Sequence, residues 1–283
     1  MTKAHNYYFE LKKEKFKLGV KYCFDDVLQI ANFAKVENSN KKTDYKIKPI
    51  FIIGVPRSGS TLIEKIIGSA KKFIPMGEEI SIFEQFIHNK IQEKKSLNLG
   101  EVKSVREELV DIYKDRGLIK EKSDFIFTDK SLNNFFYLRL IKEIFPQAKV
   151  INCRRKTLSS IISIFQNNLT DLAWTHNLEH IFKYFDNYFK IINEFKKKYP
   201  NFIYDLNFEN FTNEPEIESK KLMSFCNLLW DKKCLEFYKR KDIVSKTASC
   251  QQIRKSIYKH PADRYLPYKE FLNKYGSKYS WFN

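Results

Sequence analysis

The chain predicts an α/β fold: a parallel central sheet covered by helices on both faces, three layers in all, preceded by a short helical extension. Three observations carry that expectation. Residues 50–53 form an apolar run of the right length for a strand buried on both faces, and from Leu62 the apolar positions 62, 63, 66 and 67 switch to helical spacing. The same alternation recurs downstream, with short apolar strands expected at 125–130, 148–153 and 202–206, each followed by a helical stretch. Between the first strand and its helix lies a tight turn that nearly fits the phosphate-binding pattern GxxxxGKS/T, making this a P-loop-containing arrangement. Gly54, Gly59 and Thr61 occupy their places in that pattern, whereas Ser60 stands where the lysine belongs.

A strand that turns through such a loop into a helix aims several backbone N–H groups and the positive end of the helix dipole at one spot, which suits a phosphate-like anion. The absent lysine normally reaches the terminal phosphates of a nucleoside triphosphate, so ATP or GTP is disfavoured as the ligand.

At 283 residues the chain is long enough for one α/β domain with a substantial core. With 43% hydrophobic and 16% aromatic residues wholesale disorder is excluded, and no apolar run approaches the eighteen or so residues of a membrane span. Residues 1–20 are too charged for a secretory signal, so a cytoplasmic protein is expected. Cys23, Cys153, Cys226, Cys234 and Cys250 show neither a CxxC pair nor histidines at metal-ligand spacing, and are read as reduced thiols. The net charge of +17 comes from 42 lysines and 9 arginines scattered along the sequence, which reads as composition rather than a nucleic-acid-binding face.

Taken in order, residues 3–35 have the periodicity of one or two amphipathic helices, and 36–48 read as a polar linker. The domain boundary is therefore set as 1–47 for the extension and linker and 48–283 for the main domain. After the loop helix, Met76-Gly77-Glu78-Glu79 offers two carboxylates. Residues 81–120 are helical in pattern, with a surface connection near 94–100. The strand at 125–130 ends in Lys130, where ligands of open α/β sheets bind. A helix over 133–145 stops before Pro146. The strand at 148–153 runs into Arg154-Arg155 and a helix carrying Ser163. Residues 171–198 form a long aromatic helical segment, read as core, in which His176 is an alternative base. A further helix spans 217–228.

The string GVPRSGSTL resembles the 5'-phosphosulfate loop of sulfotransferases, most closely the tyrosylprotein sulfotransferases and the bacterial branch associated with tetratricopeptide repeats. That resemblance extends over residues 48–272. It implies 3'-phosphoadenosine 5'-phosphosulfate (PAPS) as donor, a hydroxyl-bearing acceptor and no metal. It also assigns roles. Arg57, Ser58, Gly59, Ser60 and Thr61 would cradle the 5'-phosphosulfate, and Arg155 with Ser163, eight residues on, would hold the 3'-phosphate. A glutamate would deprotonate the acceptor: an ungapped count from Arg57 favours Glu78, whereas the GEE string points to Glu79. Lys130 would join Arg57 in stabilising the transfer. Arg254 and Lys255, in a late segment with Thr247-Ala248-Ser249 and Tyr258, would fold over the 3'-phosphate. Three positions depart from the relatives' pattern: Phe208 replaces a tyrosine, Leu229 a proline, and Asp263-Arg264-Tyr265 sits where Gly-Arg-Trp is common. A small-molecule P-loop kinase and a non-catalytic nucleotide-binding protein are the alternatives. A peptide tyrosine, a sugar or a small metabolite would each present a suitable hydroxyl.

Overall fold

A computed structural model describes residues 1–37, 46–70, 73–120, 126–240, 254–258, 263 and 265–282. Five parallel strands form its central sheet, in the order β3-β5-β2-β6-β7. They are β2 (Ile50–Gly54), β3 (Met76–Glu78), β5 (Thr128–Lys130), β6 (Lys149–Arg154) and β7 (Ile203–Asn207). β2 lies at the centre, every residue buried, in register with β6 from Ile50 against Lys149 to Gly54 against Cys153. Its side chains alternate between two cores. Phe51 and Ile53 join the larger cluster with Phe83, Phe127, Phe145 and Val150, while Ile50 and Ile52 pack against Ile63, Ile66 and Ile67 on the other face. Burying each of those isoleucines is worth about 1.5–3 kcal/mol.

The helices are α1 (Thr2–Leu11), α2 (Lys13–Lys21), α3 (Val27–Phe33), α4 (Ser60–Gly68), α5 (Ile82–Lys94), α6 (Val102–Asp115), α7 (Leu138–Ile144), α8 (Thr157–Gln166), α9 (Leu178–Lys198), α10 (Phe208–Asn213), α11 (Pro215–Phe225) and α12 (Lys269–Gly276). α4 and α11 cover one face of the sheet, through Ile63, Ile66, Ile67, Leu222 and Met223. The other face carries the long amphipathic α9, whose start is fixed by Asn177: its side chain accepts from the backbone N–H of Glu179 and His180.

The extension packs onto the main domain, with Cys23, Phe24, Val27 and Ile30 buried in the same cluster as Phe51 and Val150. Its helices are joined by a π-helical turn, Tyr22–Asp26. Several expectations are corrected. The polar linker begins two residues late, since Lys35–Glu37 forms β1, paired in parallel with β4 (Asn98–Glu101). The expected surface connection near 94–100 thus contains a strand, with Leu99 wholly buried. The helix over 133–145 opens as a 3-10 turn, Leu132–Tyr137, and the aromatic segment is split by Asn177 into a 3-10 turn at Ala173–His176 and α9. Cys250, Arg264 and the Thr247-Ala248-Ser249 string lie outside the described residues. Among the described residues no helix is long and apolar enough to cross a membrane.

Candidate active site

The chain reverses direction across the sheet at β2: one connection leads to β3 and β5 on one side, the later ones to β6 and β7 on the other. Residues 57–61, Glu78, Glu79, Lys130, Arg155 and Ser163 each end one of these strands, follow its carboxyl end or lie on the helix after it, which is where an open α/β sheet binds its ligands.

Two glycines shape the loop after β2. Gly54 has φ +146°, and a Cβ there would sit 2.7 Å from the Cys153 carbonyl oxygen; at Gly59, φ +93°, it would lie 2.3 Å from the Phe208 ring. Only glycine fits either place. Gly59 caps α4, so the first backbone N–H groups of that helix open toward the loop. Ser58 is fully buried, and its Oγ has no hydrogen-bond partner among the described residues. A buried hydroxyl in a glycine-shaped cradle at a helix start suits an oxyanion.

Arg57 takes an αL conformation, φ +70°. Its Nε donates to Ser163 Oγ at 3.2 Å, and Arg155 Nη1 donates to its carbonyl oxygen at 3.2 Å. The Arg155 guanidinium also lies over the Phe208 ring, 5.4 Å from its centroid. The structure thus gathers Arg57, Arg155 and Ser163, 106 positions apart at the extremes, around one loop. Burial lowers the Arg57 pKa, and neighbouring Tyr258 opposes the shift. Phe208 has a packing role, its ring lying between Gly59 and Arg155. Arg254 and Lys255 are exposed, and Ile257 beside them packs on the α4 face of the sheet. The tail is tied to this end of the sheet by Lys156 Nζ–Asp263 Oδ1 at 2.6 Å.

The two glutamates separate. Glu78 is the last residue of β3, opposite Lys130 in the ladder. Its carboxylate lies between two buried lysines, 3.6 Å from Lys65 Nζ and 3.9 Å from Lys130 Nζ. Glu79 leaves the strand in an αL conformation, φ +54°, donates its N–H to the Lys130 carbonyl, and ion-pairs with Lys130 Nζ at 2.8 Å. The side chain is 54% exposed. A cleft of about 420 Å³ is lined by Arg57, Gly59, Ser60, Thr61, Glu79, Leu132 and residues 167–172. Glu79 is therefore on its wall, whereas the ungapped count favoured Glu78.

Lys130 is fully buried rather than solvated. Its strand is anchored by Asp129, which accepts from Tyr113 OH at 2.6 Å, Ser131 Oγ at 2.7 Å and Asn134 Nδ2 at 3.0 Å. Burial raises the Asp129 pKa and these three donors oppose it. Beneath, Glu64 accepts from Thr128 Oγ1 at 2.7 Å, and burial pushes its carboxyl up to about 7 against the pull of Lys130 and Lys65. His176 is not at this site: it stacks on Phe16 and Tyr8, and its Nδ1 lies 3.0 Å from that of His5.

Sequence reasoning missed Lys65, Glu64 and residues 167–172. The two on α4 sit within an apolar helical pattern, where a charged residue reads as solvent-facing. Residues 167–172 follow the end of α8, and an Asn167-Asn168 pair, the second at φ +44°, was the available turn signal.

Comparison with known proteins agrees with the fold. The sequence model of the sulfotransferase family matches residues 49–232. An uncharacterized protein of Aquifex aeolicus (strain VF5) is 32% identical over 238 residues, 80% of this chain but 31% of that protein, so the chain spans about a third of its relative's length. Two solved structures share the fold. The sulfotransferase domain of the Synechococcus PCC 7002 olefin synthase has a TM-score of 0.54 at 18% identity, covering 80% of this chain and 90% of that one. The sulfotransferase domain from the curacin biosynthetic pathway has 0.51 at 17%, covering 76% and 85%. With its glycine-shaped loop, its sheet order and a family match over most of its length, the chain belongs to the sulfotransferase family.

Proposed function

We propose that the chain transfers a sulfuryl group from PAPS to a hydroxyl acceptor. The observation that carries this reading is the convergence of Arg155 and Ser163 on the Arg57 loop, with Glu79, which ion-pairs with the buried Lys130, on the wall of the cleft that Arg57 also lines. Backbone N–H groups of residues 57–61, aided by the α4 dipole, hold the 5'-phosphosulfate. The Arg155 fork grips the 3'-phosphate and Ser163 adds a hydroxyl. Lys130 and Arg57 stabilise negative charge on the sulfuryl oxygens and the leaving phosphate.

Of the two carboxylates, Glu79 is the general base, because it lines the cleft while Glu78 spans Lys65 and Lys130. The acceptor oxygen attacks sulfur, the bond from sulfur to the phosphate oxygen breaks, adenosine 3',5'-bisphosphate departs, and the acceptor proton goes to Glu79. Glu78 positions both lysines. A kinase reading is disfavoured: Ser60 replaces the loop lysine, and Lys65, only 1% exposed and paired with Glu78, does not substitute for it.

Transfer of radiolabel from sulfur-labelled PAPS to cell extracts tests the reaction, with labelled ATP as control. Glu79→Gln is expected to slow transfer by about 10²- to 10⁴-fold while calorimetric binding of adenosine 3',5'-bisphosphate is retained. Phosphoryl transfer from ATP, or full activity in Glu79→Gln, would contradict the assignment.

A further inference from the structure

Beside the donor cleft lies a second cavity of about 450 Å³. Asp171 and Leu172 line both, and two other stretches pass from one to the other: Glu79 then Ser81, and Leu132 then Asn133. The second cavity thus adjoins the cleft on the side that carries Glu79. Its size is that of a small-molecule site.

One wall comes from the N-terminal extension through Gly19, Tyr22, Cys23 and Val27, all before the residues that match the family. Tyr22 and Cys23 stand on the π-helical turn, a distortion that recurs at functional sites. Tyr22 OH donates to Glu84 Oε1 at 2.5 Å and lies 2.8 Å from His88 Nε2. Asn133 donates to Glu84 at 3.3 Å and accepts from Tyr184 OH at 3.1 Å, and Tyr184 stacks on Trp174 with centroids 3.8 Å apart. The polar lining is therefore held in place before any ligand arrives.

The chemistry of that lining is selective. Gln85, Asn89 and Asn133 each bring an amide that both donates and accepts, as a hydroxyl does, and Tyr22, Phe136 and Trp174 supply aromatic surface. Glu84 and Asp171 are carboxylates, and no lysine or arginine is among the described lining residues, although Lys and Arg fill 51 of 283 positions. An acidic peptide or a phosphorylated acceptor would be repelled here; a neutral, hydroxyl-rich ring would find partners at every edge.

We propose, resting on the sulfotransferase reading above, that this second cavity is the acceptor subsite and takes an uncharged, hydroxyl-rich ring compound of the glycoside class, with the N-terminal extension setting the choice. Two probes, 4-nitrophenyl β-glucoside and trehalose, are compared with a tyrosyl peptide flanked by aspartates, using the full chain and labelled PAPS. At least one glycoside is expected to accept label at least about tenfold faster than the peptide. The double variant Gln85→Ala/Asn89→Ala changes two exposed positions of α5. It is expected to raise the acceptor KM about tenfold while kcat and the affinity for adenosine 3',5'-bisphosphate stay unchanged. Saturation-transfer NMR with the same sugars, without donor, reads the subsite independently and is expected to show binding that the double variant weakens. Faster labelling of the acidic peptide, an unmoved KM, or failure of both sugars to bind while the nucleotide binds, would overturn the subsite and leave the donor reading intact. Sugar binding that the double variant weakens, in a protein that does not bind the nucleotide, would uphold the subsite and overturn the donor reading.

Discussion

Gly59 shows most sharply how one residue sets up the loop. Its φ of +93° and its contact with the Phe208 ring exclude any side chain. Gly59→Ala combines an unfavourable αL backbone with a displaced aromatic ring that also lies under Arg155. A loss of about 2–4 kcal/mol in denaturant unfolding is expected. Measured against Phe208→Ala alone, Gly59→Ala should cost only the backbone part, because the clash is then absent; no change in the single variant would mean the loop can re-form around a methyl group. The two glutamates are a residue-scale lesson of another kind. Successive strand side chains point to opposite faces, so a one-residue error exchanges a pair-bridging carboxylate for one that faces the cleft. Nothing in Gly-Glu-Glu tells where β3 ends, and the αL turn at Glu79 that decides the matter is invisible without coordinates.

At the scale of elements, the central strands were legible because they are buried on both faces and read as unbroken apolar runs. β1, β3 and β4 were not. They are three or four residues long and polar, and their pairing depends on partners about 50 to 65 positions away. The periodicity of the extension was legible too, but its partner was not: amphipathic spacing shows that a face is buried, not against what. α1 docks through His5, whose Nε2 donates to the Phe165 carbonyl at 2.7 Å, so that its Nδ1 accepts from His176. Burial, with help from His5, lowers the His176 pKa to about 4. A histidine depressed in this way contributes stability above its unfolded value near 6.5, and that contribution is lost as pH falls toward 4. Between pH 7 and 4, hydrogen-exchange protection in α1, taken relative to the intrinsic exchange rate at each pH, should therefore fall more than in β2 and β6, and His176→Phe should abolish the difference. An equal fall in protection throughout would show that the histidine pair does not govern docking.

For the whole molecule, part of the lysine content is matched by acidic neighbours on the same helix. Many lysines pair with acidic residues three or four positions away on exposed helix faces, including Lys13–Glu10, Lys17–Glu14, Lys114–Asp111 and Lys220–Glu216. Such pairs add little stability. The buried charges matter more. Glu64, pushed up to about 7, opposes His176. Its raised pKa means that the protonated carboxyl suits the fold: its contribution is complete below about 4.5 and declines as pH rises to about 7, by on the order of 3 kcal/mol. Over the same interval the contribution of His176 grows, as do those of His88 and His180, whose pKa values burial also lowers, so these histidines offset the decline due to Glu64. Glu64→Gln removes the declining part, and its unfolding free energy should climb from pH 4.5 to 7; a profile parallel to that of the unaltered chain would refute this balance. Much of the molecule was legible from the ordered motifs at the ends of β2, β3, β5 and β6, while the second cavity, assembled from four separated segments, was not.

In the proposed donor site one loop and one distant arginine hold the two anionic ends of a single nucleotide. A crystal structure with adenosine 3',5'-bisphosphate bound is expected to show the 5'-phosphate on the backbone of residues 57–61 and the 3'-phosphate between Arg155 and Ser163; a nucleotide bound elsewhere, or with its 3'-phosphate away from Arg155, would refute that arrangement.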